Sequence, residues 1–190
     1  MTLYIKNMVC LRCIKTVSRI LEEAGLSLSK IKLGEAEIEG TVDSNTKAII
    51  GQQLHTEGFE LIDDKNSKIV EQIKTLIINE IHYESDLKKE TMNFSEFLAL
   101  QIGHDYSFLS KLFSGIEGIT IEKYIISQKI ERAKELLIYD ELNLNEIAWR
   151  MGYSSSHHLS NQFKQQTGMT PTEFKKSHSR ERKHIDHIGP

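Results

Sequence analysis

The chain has 190 residues, of which 39% are hydrophobic and 27% charged, and its formal net charge is −3. These values are ordinary for a globular protein of one or two domains. Two cysteines cannot staple a secreted scaffold of this size, and free thiols suit a reducing compartment, so we expect a cytoplasmic protein. No apolar run approaches the roughly 20 residues that span a bilayer. The start of the chain also lacks the features of a signal peptide, so a membrane is not an expected partner.

The first third of the chain alternates strand and helix patterns. Alternating apolar and polar residues predict strands at 2–6, 26–33, 35–40 and 59–62. Apolar residues at helical spacing predict one helix through Ile14 to Ala24 and a second from about Asn45 to Thr56. The resulting order is the split βαββαβ pattern, which predicts an α+β, ferredoxin-like domain over residues 1–63.

After residue 63 every segment has helical character, and 63–67 (DDKNS) is the predicted boundary. The prediction is an all-α domain over 64–180 and a polar tail over 181–190. Within that domain we expect a helix at 69–83, a charged loop, and a long amphipathic helix at 120–138. Two units of paired short helices flank the long helix, at about 93–118 around Gly103 and about 143–168 around Gly152.

The two glycine-centred units form an internal repeat, since each continues with a leucine and then a phenylalanine four residues later. Two short helices around a glycine turn are the layout of a helix-turn-helix unit. The second helix of each unit has a small, polar and partly basic face, as a helix that enters the major groove requires. A plain helical bundle with polar outer faces is the alternative, and the presence of two units in register favours DNA binding.

Residues from about 69 to 178 resemble the DNA-binding domain of the AraC/XylS family of bacterial transcription regulators. The motif EIAWRMGYSSSHHLSNQFKQQTGMTPTEFKK in the second unit and QKIERAKELL in the long helix carry this resemblance. It implies a regulator that binds double-stranded DNA. The implied base contacts are Ser107, Ser110, Lys111, Ser156, His157, Ser160 and Asn161, and the implied phosphate contacts are Lys164 and Lys175. Because serines occupy reading positions of the first unit, we expect that unit to position the protein and the second to specify the sequence.

Cys10 and Cys13 lie between the first predicted strand and the first predicted helix. Their spacing places both sulfurs at the first turn of the helix, where free N–H groups and the helix dipole favour thiolates. Two thiolates suit a soft ion, with Cu(I) first and Zn(II) or another thiophilic ion as alternatives. A redox pair, a closed structural zinc site and a pair of retained core thiols remain open.

The motif MVCLRC in this topology resembles the heavy-metal-associated domain of copper chaperones and metal-transport ATPases. Met8, Cys10, Cys13 and the pair Gly58-Phe59 match that family. The resemblance implies that the two cysteines bind the metal and that Met8 packs beneath the loop. Two residues depart from the family pattern, since Asn7 stands where a glycine is usual and Val9 where a threonine is common.

Together these patterns predict a sequence-specific transcription regulator that senses a thiophilic metal ion. The alternative is a metallochaperone or metal buffer whose helical half docks to a protein. A homodimer is left open. The sequence shows no glycine-rich phosphate loop and no nucleophile–base pair, so an enzyme is not expected.

Overall fold

The computed structural model describes residues 1–62, 64–83, 88, 92–139 and 141–177. The predicted charged loop falls largely outside the described residues, as do the end of the predicted helical domain and the tail at 181–190. The chain forms two compact units. One comprises Met1–Leu76 and Lys88–Leu112, and the other comprises the described parts of Ile77–Leu87 and Phe113–Pro190. The domain boundary between residues 63 and 64 stays a prediction.

The N-terminal elements follow the predicted order. They are β1 (Thr2–Lys6), α1 (Leu11–Glu23), β2 (Leu28–Lys32), β3 (Glu35–Ile38), α2 (Ser44–Thr56) and β4 (Glu60–Ile62). The strands form an antiparallel sheet in the order β2-β3-β1-β4, with Leu3 opposite Ala36 and Ile5 opposite Leu61. Because β1 lies inside the sheet, the loop that follows it emerges next to two neighbouring strands.

One face of this sheet is covered by α1 and α2. Alternate side chains of β1 are buried, as the period of two predicts, and α1 adds Val17 and Leu21 at helical spacing. Helix α2 begins where the Asp43 carboxylate accepts hydrogen bonds from the N–H groups of Asn45 and Thr46. The buried core shared by these elements consists of Leu3, Ile5, Met8, Val17, Ile20, Leu21, Leu33, Ala36, Ile38, Ile50, Leu54 and Phe59.

Helix α3 (Lys65–His82) begins four residues earlier than predicted. The Asp64 carboxylate accepts hydrogen bonds from the N–H groups of Asn66 and Ser67, so the helix has a side-chain cap. The polar segment predicted as a boundary therefore contains the first turn of a helix.

The helical part of the chain has the predicted sequence of short and long helices, followed by one short helix, the last of the described residues, that was not predicted. These are α4 (Phe94–Ile102), α5 (Tyr106–Glu117), α6 (Ile121–Tyr139), α7 (Leu144–Arg150), α8 (Ser156–Thr167) and α9 (Pro171–Ser177). Gly103 and Gly152 have φ angles of 76° and 69°, in the left-handed region that favours glycine, so each turn uses its glycine as expected. Among the described helices, none combines the length and the apolar character that a membrane crossing requires.

The second helix pair packs on α6 and α9. The buried residues of this core are Ile130, Ala133, Leu136, Leu137, Ile147, Ala148, Met151, Leu159, Phe163 and Phe174. Leu159 and Phe163 lie four residues apart on α8 and are both fully buried, as the sequence predicted. The opposite side of α8 is thereby left toward solvent.

Candidate nucleic-acid interface and metal centre

The two helix-turn-helix units repeat at an interval of 50 residues. Asn93 and Asn143 both cap the first helix of a unit, and each side chain accepts a hydrogen bond from the N–H three residues later. The second cap is a full capping box, because Glu146 also accepts from the Asn143 N–H. The same interval relates Leu109 to Leu159, and both leucines are fully buried.

The repeat extends beyond the helix pairs that the sequence analysis identified. The rings of Phe113 and Tyr124 lie 5.5 Å apart, and the rings of Phe163 and Phe174 lie at the same distance. Each helix-turn-helix unit is thus followed by a third helix that packs on it. This helix is α6 for the first helix-turn-helix unit and the short α9 for the second. An alignment on the two glycines hides this relation, because the second unit has one residue fewer between its capping asparagine and its glycine. An alignment on Asn93 and Asn143 reveals it.

Helix α8 presents one exposed polar stripe. His157, Asn161 and Lys164 are exposed and lie at positions i, i+4 and i+7, so they share one side of the helix. Ser156 and Ser160 are half-buried at its edge. The structure therefore brings His157, Asn161 and Lys164 together on the solvent side of α8, and it places Ser156 and Ser160 between this side and the buried Phe163.

Hydrogen bonds organise this stripe before any partner binds. Asn161 Nδ2 lies 3.1 Å from His157 Nε2, and the Ser160 hydroxyl donates to the Ser156 carbonyl at 2.8 Å. His158 faces elsewhere, with Nδ1 at 3.2 Å from the Ser154 hydroxyl. The two adjacent histidines thus have different partners. His157 and Asn161 hold each other in place at the centre of the stripe.

The corresponding helix of the first unit, α5, has mostly short polar side chains at the predicted contact positions. Ser107 and Lys111 are exposed, and Ser110 is half-buried. Lys111 is the only long side chain among the three predicted base contacts of this unit. The remaining predicted phosphate contact, Lys175, is exposed on α9.

The two cysteine sulfurs lie 3.2 Å apart at the start of α1. Cys10 is the N-cap residue of that helix and Cys13 is its third residue, and both side chains are partly exposed. Met8 is buried in the core below them, and Val9 is buried as well. The sulfurs are close enough to bind one soft ion together, and the residue types fit such an ion.

The surroundings separate the pKa values of the two thiols. Burial raises the pKa of Cys10, but hydrogen bonds from Cys13 and from Arg12 lower it more, so the net pKa lies below the ordinary cysteine value. Burial also raises the pKa of Cys13. A hydrogen bond with the Val9 backbone lowers it and the neighbouring Cys10 raises it again, leaving the net pKa above the ordinary value. Cys10 is therefore the thiolate that forms first.

Asn7 has a backbone conformation that usually favours glycine. Its φ angle of 70° is the one positive value among the described residues other than glycine, and asparagine tolerates this region better than most side chains. Its Nδ2 group also donates to the Gly58 carbonyl at 2.9 Å. This hydrogen bond ties the loop to the turn before β4. Around the loop, the described residues contain no group of three or more His, Cys, Asp or Glu side chains placed to hold a metal.

Comparisons with known proteins agree with the helical part of this description. A family model described as a helix-turn-helix domain matches residues 98–177. An uncharacterized HTH-type transcriptional regulator in the cgkA 5′ region of Pseudoalteromonas carrageenovora is 30% identical over 125 residues, which is 62% of this chain and 70% of that protein. An uncharacterized HTH-type transcriptional regulator of Staphylococcus aureus (strain MSSA476) is 29% identical over 126 residues. That match covers 66% of this chain but 15% of the staphylococcal protein.

One solved structure is also similar. It is the C-terminal domain of AraT, a response regulator from Geobacillus stearothermophilus, with 25% identity and a TM-score of 0.50. The match covers 64% of this chain and 96% of that domain. The chain therefore belongs to the HTH-type transcriptional regulators, and its helical part contains a helix-turn-helix domain.

Proposed function

We propose that this regulator binds a specific double-stranded DNA sequence through α5 and α8. We further propose that its N-terminal βαββαβ unit is a ferredoxin-like, heavy-metal-associated domain that senses a thiophilic ion at Cys10 and Cys13. Cu(I) is the first candidate, with Zn(II) second. The single observation that carries the DNA part is the exposed stripe of His157, Asn161 and Lys164 on α8.

The stripe has the chemistry of a surface that reads DNA. Asparagine and histidine can donate to or accept from base edges in the major groove, and lysine can contact a phosphate. The serines at the edge are small enough to let the helix approach the bases closely. The family to which the chain belongs consists of transcriptional regulators, which supports the same use of the helix.

The metal part of the proposal draws on the geometry of the cysteine pair. The sulfurs are 3.2 Å apart and partly exposed, so an ion can reach both. Two thiolates supply soft ligation, which favours Cu(I) over oxygen-seeking ions. The buried Met8 and the strand order β2-β3-β1-β4 agree with the resemblance to heavy-metal-associated domains.

The test follows duplex binding by the reduced full-length chain as metal is added. A fluorescent duplex is first selected by the protein from a random library, and its anisotropy is then measured with Cu(I) and separately with Zn(II). We expect metal to change duplex affinity about 5–150-fold, the usual size of such coupling. Cys10→Ser should abolish the change, whereas Ser18→Ala, at a half-buried position further along α1 whose hydroxyl bonds Glu22, should keep it. Metal binding without any change in duplex affinity would refute the sensor and leave the DNA-binding role in place.

A metal buffer whose helical part docks to a protein is the second candidate, and one observation favours it. Trp149 on α7 is 78% exposed, an unusual position for the only tryptophan of the chain. Duplex binding that weakens steeply with salt and survives Trp149→Ala supports the regulator. Absence of duplex binding at low salt would support the buffer.

A further inference from the structure

The loop that carries the cysteines is held by a residue far from it in sequence. The backbone N–H of Asn7 donates a hydrogen bond of 3.3 Å to Glu71 Oε1 on α3. The next residue, Met8, is buried, and Cys10 follows two positions later. A short rigid segment therefore connects the Glu71 carboxylate with the first sulfur.

Glu71 is itself firmly placed. It is only 5% exposed, and Lys74 Nζ lies 3.7 Å from its second carboxylate oxygen. A buried carboxylate of this kind is expensive unless it is paired and hydrogen-bonded, so its position is closely determined. The sheet and the loop thus meet α3 at a charged group that has little freedom to move.

The first half of α3 also rests closely on the turn between β2 and β3. A Cβ atom on Gly34 would lie 3.0 Å from Thr75 Oγ1 and 3.8 Å from Glu71 Cγ, so the helix packs closely against this turn. Next to this contact, Gln72 Nε2 donates to Glu35 Oε1 at 3.3 Å. These contacts fix the first half of α3 against the sheet.

We infer that Glu71 is a positioning residue for the cysteine loop. The Asn7–Glu71 hydrogen bond links the loop directly to α3, and the pairing with Lys74 holds the carboxylate where Asn7 needs it. The inference stands on this geometry and goes beyond the proposed metal site, because it concerns the loop with or without an ion.

The positioning role is tested in the metal-free, reduced, full-length chain by amide hydrogen exchange. Glu71→Ala should accelerate exchange at the Asn7 amide about tenfold, because the charged acceptor is lost. Glu71→Gln should restore most of the protection, since its side-chain carbonyl accepts the same N–H. Gln72→Ala, which removes a contact to the sheet and none to the loop, should leave that amide unchanged. Equal exchange in Glu71→Ala and wild type would overturn the role, and so would equal acceleration by Gln72→Ala.

Discussion

The polar stripe on α8 predicts two separable kinds of DNA contact, which two substitutions can resolve. Lys164→Ala removes the positive charge from the end of the stripe on α8, and Asn161→Ala removes an amide at the centre of the stripe. A phosphate contact contributes about 0.9 to the slope of log affinity against log salt. Between 50 and 200 mM salt, a fourfold change, the loss of one such contact lowers the salt sensitivity by about 3.5-fold. The loss of a base contact leaves the slope of log affinity against log salt unchanged.

We therefore expect Lys164→Ala to weaken binding to the selected duplex and to random DNA alike, with a slope smaller by about 0.9. Asn161→Ala should weaken binding to the selected duplex about 5–150-fold, the equivalent of roughly 1–3 kcal/mol, with little effect on random DNA or on the slope. The assay is fluorescence anisotropy at four salt concentrations between 50 and 200 mM.

Gln166→Ala is the matched control, because Gln166 is exposed on α8 but lies on another side of the helix from the stripe. Its affinity and slope should equal those of the wild type. The reasoning is refuted if Asn161→Ala weakens both duplexes equally, or if Gln166→Ala has the effect predicted for either of the other two variants.

Four further outcomes concern stability and reactivity. Phe163→Ala should lower the free energy of unfolding by about 3–5 kcal/mol in a urea titration followed by tryptophan fluorescence, and a cost below 1 kcal/mol would contradict the packing described. Asn143→Ala should cost about 1 kcal/mol in the same titration through loss of the capping box, and Asn143→Gly clearly less. Burial raises the pKa of Tyr153 to about 12, and its hydroxyl has no hydrogen-bond partner among the residues that the structure describes. Tyr153→Phe should therefore leave stability unchanged or raise it by up to about 1 kcal/mol. Because its pKa is lowered, Cys10 should react with iodoacetamide at lower pH than Cys13, whose pKa is raised. Mass spectrometry of the partly modified protein checks the order, and modification of Cys13 before Cys10 would contradict this assignment.

Local patterns were enough to predict most of the secondary structure. The alternation in residues 2–6 gives β1 with the predicted bounds, and the apolar spacing of Leu159 and Phe163 gives the buried side of α8. These features depend on neighbours within a few residues, which a sequence displays directly. The start of α3 was missed because Asp64 belongs to a polar run, and the same residue types form turns and helix caps.

The contacts that place the cysteine loop were beyond the reach of such patterns. Asn7 and Glu71 are 64 positions apart, and a glutamate on a helix gives no local sign that it will be buried under a loop. The separation of the two cysteine pKa values likewise depends on which N–H groups surround each sulfur. The 50-residue interval, by contrast, was present in the sequence, and an alignment on the asparagine caps would have shown it.

The 50-residue repeat means that each position of α5 has a counterpart on α8. Ser107 corresponds to His157, Lys111 to Asn161 and Ser114 to Lys164, while the buried leucine and phenylalanine of the two helices coincide. Within α5 and α8, the fully buried positions are therefore identical in the two units, whereas the exposed positions differ. A chain carrying Ser107→His, Lys111→Asn and Ser114→Lys would hold two copies of one surface. Its preferred operator would then be a tandem repeat of a single short sequence.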